Sequence, residues 1–311
     1  MKSETVKITS NYDGLVLYGT VYEPDDEPKA IVQIIHSLFE HREYYDELAR
    51  ILCHYGYVVV VSDLRGHGDS VDLLHPLGHV DAKNGWMMNL VDTNRFSSMI
   101  REKYRRLPFF LLGHSMGSLV ARSFLKRFEY EIDGVILTNC PYFDKKFYII
   151  EKIEKLHLRL EGPNEPDTGF WTRYTSSFDK GFNEEETDRW MCSDMEFVRT
   201  YRKDPKSQAL PTTSMVNDLL FGFRDVFVYE DWHPLKKKLP VLILGGQDDV
   251  CARGIDGVKQ VHQRLRDVGY TNIQYCLYPE FRHNIFHEYQ RQTVYGDIIR
   301  FLNSILETTN Q

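Results

Sequence analysis

An apolar run, Phe109-Phe110-Leu111-Leu112, leads into Gly113-His114-Ser115-Met116-Gly117, and a helical pattern follows from Ser118 to Phe128. No other stretch restricts the fold as strongly. A serine in G-x-S-x-G between a strand and a helix sits on a turn so sharp that its hydroxyl stands at the carboxyl edge of a sheet, facing a cleft. The flanking positions need small residues, and glycine also tolerates strained backbone angles. The pentapeptide thus predicts a strand–turn–helix unit and demands a sheet for its strand to join.

The flanking chain supplies that sheet. Val6–Ser10 and Leu15–Tyr22 read as an antiparallel hairpin around the Asp13-Gly14 turn. Ala30–Ile35, Tyr57–Val61, Gly134–Thr138, Pro240–Leu244 and Ile273–Tyr278 are short apolar runs of the kind buried on both faces of a parallel sheet. Helical spacing separates them, over Tyr44–Tyr55, Asp92–Tyr104, Val258–Val268 and Glu288–Leu306. The expectation is an α/β fold with a mostly parallel central sheet and helices on both faces.

Between Pro141 and Pro240 the rhythm stops. Phe147, Ile150, Ile153 and Leu156 mark an amphipathic helix, and mixed aromatic and charged segments follow with no buried-strand pattern. Residues 141–240 are expected to form a helical lid or cap inserted into a core made of 1–140 and 241–311, with a second packing domain that does not contact substrate as the alternative. Lys145, Lys146, Glu151, Lys152, Glu154 and Lys155 interleave its first helix, which reads as packed rather than as a membrane anchor.

Charge and cysteine usage narrow the partners. A net charge of -7 argues against general affinity for nucleic acid. No run is apolar enough to span a membrane, and Met1–Lys7 has no apolar leader core, so a cytoplasmic location without stable membrane insertion is expected. Cys53, Cys140, Cys192, Cys251 and Cys276 are scattered without a C-x-x-C, which suits reduced thiols. Asp63-Leu64-Arg65-Gly66-His67-Gly68 lacks the third glycine of a phosphate cradle and reads as a rigid loop at the cleft floor. The spacing of His36, Glu40 and His41 matches no H-E-x-x-H or H-x-x-E-H metal motif, and no cofactor is expected.

A serine hydroxyl needs a base, and the base needs an orienting group. Asp248 follows the strand ending at Leu244, and His283 follows the strand ending at Tyr278. Ser115, Asp248 and His283 are the expected catalytic triad, with the adjoining Asp249 a loop or helix-capping carboxylate. Two backbone N–H donors must face the acyl oxygen, and those of Leu38 and Met116 are the expected oxyanion hole. His36 and Glu40 read as groups that brace the loop.

His36-Ser37-Leu38-Phe39-Glu40-His41, Asp63-Leu64-Arg65-Gly66-His67-Gly68-Asp69-Ser70, Gly113–Gly117, Gly245-Gly246-Gln247-Asp248 and His283 together resemble the α/β-hydrolase superfamily. Within it they are most similar to the monoacylglycerol lipase and lysophospholipase group, the serine aminopeptidase-like hydrolases. The resemblance spans nearly the whole chain and is weakest in the insertion. It implies the α/β-hydrolase fold, a helical lid and acyl transfer to water through an acyl-enzyme. Expected substrates are monoacylglycerols, lysophospholipids or similar short to medium acyl esters, with aryl esters and thioesters as alternatives. Acyl transfer to an alcohol or amine, or a ligand-binding relative without activity, also stays open. Ser37 departs from the group, which has glycine beside the oxyanion donor; a positive φ there would strain serine.

Overall fold

The structure of the chain, a computed structural model, describes residues 1–309. Strands β1 (Lys2–Thr9) and β2 (Val16–Glu23) form the expected hairpin, with Gly14 at φ 80 in its turn. Then β3 (Ala30–Ile35), α1 (Asp46–His54), β4 (Tyr57–Ser62), α2 (Gly85–Lys103), β5 (Phe109–His114), α3 (Met116–Phe128) and β6 (Gly134–Thr138) alternate. Four helices follow: α4 (Phe147–Glu161), α5 (Thr168–Thr175), α6 (Met195–Lys203) and α7 (Thr213–Phe227). The alternation resumes with β7 (Val241–Gly246), α8 (Ile255–Val268), β8 (Ile273–Tyr278) and α9 (Gln292–Thr309).

All eight strands join one sheet in the order β1-β2-β4-β3-β5-β6-β7-β8. The β1–β2 and β2–β4 pairs are antiparallel, and every pair from β4 to β8 is parallel. Side chains alternate across the pleat. Ile31, Val58, Leu111, Val135 and Ile243 face α2, α3 and α8, and Val32, Val59, Leu112, Ile136 and Leu242 face α1 and α9. Two apolar layers thus cover one sheet, as the pattern of buried runs requires.

Helices α8 and α9 begin within four residues of expectation, and two elements depart further. Helix α2 begins at Gly85, seven residues before the expected Asp92. Its N-cap residue Asn84 makes no side-chain cap, so the usual local start signal is absent. Asp218 on α7 lies against this end of the helix, facing the Gly85 and Trp86 amides with its Oδ2 unpartnered. Helix α4 is amphipathic, but only part of its expected apolar stripe is packed: Phe147 and Ile150 meet the core, and Ile153 and Leu156 do not. Ile149, Ile153, Leu156 and Leu160 are exposed, while Phe147, Glu151 and Glu154 are buried. Glu151 pairs with Arg224 of α7, and Glu154 with Arg173 of α5. Ion pairs to neighbouring helices, together with the packing of Phe147 and Ile150, hold this helix in place.

Candidate active site

The β5–α3 turn places Ser115 at φ 51 and ψ -115, a conformation that L side chains avoid. The glycines beside it serve close approach. A Cβ at Gly113 would collide with the Gly117 carbonyl, and one at Gly117 with the carbonyls of Ile35 and His36. Neither glycine has positive φ, so the strained angle rests on the serine itself. The turn is pinned from the next strand, where Thr138 accepts from the Ser115 amide at 2.9 Å.

His283, on the loop after β8, lies with Nε2 2.8 Å from Ser115 Oγ. The hydroxyl therefore has an acceptor for its proton. On the other side of the ring, Nδ1 sits 3.0 and 2.9 Å from the two carboxylate oxygens of Asp249. Asp248, the expected partner, is exposed and points away among Lys180, Glu280 and Arg282. The expectation fails by one residue for a physical reason. Chain positions 245–249 contain two glycines and two aspartates in tandem, so G-x-x-D can be counted from either glycine. A Cβ at Gly246 would meet the Phe281 and Arg282 carbonyls, whereas one at Gly245 would only press a Val258 methyl group at 3.1 Å. Gly246 is the close-packed glycine, and three residues on from it is Asp249.

Asp249 is held more tightly than sequence alone indicated. Its Oδ1 accepts from the amides of Cys251 and Ala252, at 2.9 and 3.0 Å, and its Oδ2 from Asn139 Nδ2 at 2.8 Å. Asn139 follows β6 at φ 48, and it also donates to the Arg282 carbonyl. No sequence motif marks it; the available signal was its place at the carboxyl end of a central parallel strand. The inserted segment holds the other side. The Met191 carbonyl accepts from the Asn284 amide at 2.6 Å, and the Trp190 ring packs 5.2 Å from that of His283.

Leu38 and Met116 line the same cavity as Ser115 and His283. Among the described residues, no protein group accepts from either amide. Ser37 does not have positive φ; the left-handed residue in this loop is Phe39, at φ 57. The Gly-to-Ser departure is therefore free of backbone strain. His36 and Glu40 brace the loop as expected. His36 Nδ1–H donates to the Ser37 carbonyl and Nε2 accepts from the Leu64 amide, and burial pushes the ring's pKa well below its ordinary value. Glu40 Oε2 accepts from the Ser37 amide and the Tyr45 hydroxyl, at 3.1 and 2.6 Å, and Oε1 from Asn284 at 2.7 Å. One buried carboxylate thus ties the Leu38 loop to the His283 loop, and burial raises its pKa.

The Asp63–Gly68 loop lies behind this layer and does not line the Ser115 cavity. His67 packs against His36, and Arg65 is buried between Asp13 and Asp92. It supports the oxyanion loop from below instead of forming the cleft floor. Two clusters elsewhere gather carboxylates around a histidine, Asp13–His75–Asp81 and Glu154–His157–Asp167. Neither borders Ser115, and within each the histidine already faces carboxylate oxygens. His114, beside Ser115 in sequence, is buried with its pKa well below the ordinary value, and its Nδ1 engages Thr138 Oγ1. It braces the strand ends.

A hydroxyl with a proton acceptor, an oriented imidazole and two unengaged amides is the constellation required for acyl transfer. The chain is similar to several known proteins. Human monoglyceride lipase is 33% identical over 111 residues, 36% of this chain and 35% of that protein. A Bacillus subtilis phospholipase, YtpA, is 34% identical over 122 residues, 37% of this chain and 41% of that protein. The matched region therefore spans under half the length of these curated relatives. A carboxyl esterase from Bacillus coagulans shares the fold, with a TM-score of 0.88 over 98% of this chain and 99% of that one at 24% identity. Residues 26–290 match the family described as serine aminopeptidase S33, and the chain belongs to that family.

Proposed function

We propose that the protein is a serine hydrolase that cleaves carboxylic esters of single acyl chains through an acyl-enzyme. The observation that carries this reading is the continuous hydrogen-bonded line from Ser115 Oγ through His283 to Asp249. In this mechanism His283 Nε2 takes the Ser115 proton as Oγ attacks the ester carbonyl. The carbonyl oxygen becomes an oxyanion facing the Leu38 and Met116 amides. His283 then gives the proton to the departing alcohol oxygen, leaving an acyl-serine ester. Water repeats the sequence: His283 removes its proton, the hydroxide adds to the acyl carbon, and Ser115 leaves protonated with release of the acid. Asp249 keeps Nδ1 protonated, so that Nε2 is free to act as base.

Monoacylglycerols and lysophospholipids are the proposed substrate class. The names of the relatives support this, as do the apolar walls around Ser115, among them Trp171, Met191, Leu219 and Phe223. Residues 141–240 would act as the lid, because Trp171, Tyr174, Trp190 and Tyr201 from this insertion cover the cavity. A cytoplasmic setting is proposed from the five unlinked cysteines; among the described residues no helix is long and apolar enough to cross a membrane.

The test is labelling with a fluorophosphonate probe alongside hydrolysis of p-nitrophenyl butanoate and a monoacylglycerol. Wild type should label and release free acid, and Ser115→Ala should do neither. Wild type that neither labels nor hydrolyses any ester overturns the reading.

A further inference from the structure

The cavity in front of Ser115 is small, about 60 Å³, or roughly two water molecules' share of liquid volume. No monoacyl ester fits there. Beside it lies a much larger chamber of about 500 Å³, within the range of about 300–1,000 Å³ typical of small-molecule sites. Two residues line both spaces: Tyr174 of α5 and Cys251, two positions after Asp249. Between them runs a single weak contact, from Tyr174 Oη to Cys251 Sγ at 3.4 Å.

The two sides of this partition differ in rigidity. Cys251 is fixed, because its amide donates to Asp249 and moving it would disturb the triad. Tyr174 belongs to a helix of eight residues. Its ring stacks on Phe170 and meets Phe178 edge-on, apolar contacts that tolerate sliding. A hydroxyl–thiol contact is a weak hydrogen bond, so a tyrosine rotation would part the wall at small cost. Beyond it the walls are mainly apolar, with Ile150, Ile153, Phe170, Phe178 and Val250. Four of the charges that line it are paired among themselves, Arg173 with Glu154 and Arg253 with Asp144.

We infer that Tyr174 and Cys251 form a door, and that the chamber behind it takes the long unbranched alkyl limb of the ester cleaved at Ser115. The inference rests on the ester-hydrolase reading. It makes Tyr174 a residue that sets chain-length preference, and it separates the space where bonds change from the space that recognises the chain. Each methylene buried in such a chamber is worth about fourfold in kcat/KM.

The experiment measures kcat/KM over two series, p-nitrophenyl alkanoates from butanoate to dodecanoate and alkyl acetates from butyl to dodecyl. Ile150→Trp fills the chamber, and Ile153→Arg narrows it from a half-exposed wall where a folding defect is not expected. In at least one series the long-to-short ratio should fall by about tenfold or more in both variants, and should rise in Tyr174→Ala, which removes the door. Fluorophosphonate labelling checks that each variant keeps an assembled triad. If Ile150→Trp does not fold, Ile153→Arg and Tyr174→Ala decide the matter. Folded variants whose ratio stays at the wild-type value in both series overturn the door and chamber while leaving ester hydrolysis standing. Wild type without hydrolysis or labelling overturns both.

Discussion

Asp248 and Asp249 carry the same side chain, and the fold uses them in opposite ways. The exposed carboxylate meets water; the buried one meets two amides, an asparagine and a histidine. Asp249→Asn should therefore lower kcat by about 10³–10⁴-fold, because an amide at that position favours the wrong tautomer of His283. Asp248→Asn should stay within about twofold of wild type. Steady-state hydrolysis of p-nitrophenyl butanoate, with thermal melts to show that both variants fold, checks the pair; a reversal would return the role to Asp248. Glu40 offers a second residue-scale case. Both of its oxygens receive donors, so in Glu40→Gln one NH₂ must face another donor. As a positioning residue it should affect turnover more than binding: kcat is expected to fall about 10–100-fold with KM little changed. Asn284→Asp in the same chain restores a donor–acceptor match and should recover part of the loss. No recovery would mean that Glu40 acts other than through Asn284.

Among the elements, α4 separates hydrophobicity from burial. Phe147→Ala should cost about 3–5 kcal/mol, since the ring is buried against Phe143 and Phe223. Ile149→Ser and Leu156→Ser should each cost within about 0.5 kcal/mol, because both side chains already face solvent. Urea midpoints distinguish the cases, and a large loss at Leu156 would mean that the stripe is covered. The same helix shows what a sequence pattern can reveal. Periodicity located α4, and Phe147 and Ile150 of its stripe do pack on the core, but Ile153 and Leu156 do not, because the pattern does not show that Arg224 and Arg173 on the neighbouring helices draw Glu151 and Glu154 inward. Strands buried on both faces were easier. The runs Ala30–Ile35 and Gly134–Thr138 coincide with β3 and β6, since every residue there is buried and the apolar run begins and ends with the strand. Ser115 and His283 were legible for a related reason: each follows such a run, and parallel strands bring their carboxyl ends to one edge. Asn139 stands at that edge too, but no motif singles it out and its bond to Asp249 shows only in three dimensions.

At the scale of the whole molecule, the insertion and the core are joined through groups far apart in sequence, and Asp218 makes one such joint titratable. It sits on α7 facing the first amides of α2, with Oδ2 buried and unpartnered. Those amides favour its charged form, but burial and the nearby charge of Asp81 outweigh them, and its pKa is pushed up to about 7. In the unfolded chain the group titrates near 3.8. Between these values the folded protein keeps a proton that the unfolded chain has released. The stability that this carboxyl contributes is complete below about pH 4 and is lost as pH rises toward 7. Asp218→Asn cannot lose a proton, so it escapes that decline. The variant should gain on wild type as pH rises from 5 to 8, by about 1–2 kcal/mol once solvent relaxation at this partly exposed residue is allowed for. Urea unfolding of both proteins at pH 5, 6, 7 and 8 measures the difference directly. Parallel curves across that range would show that Asp218 stays ionised in the folded protein, and that the α2 amides hold its charge after all.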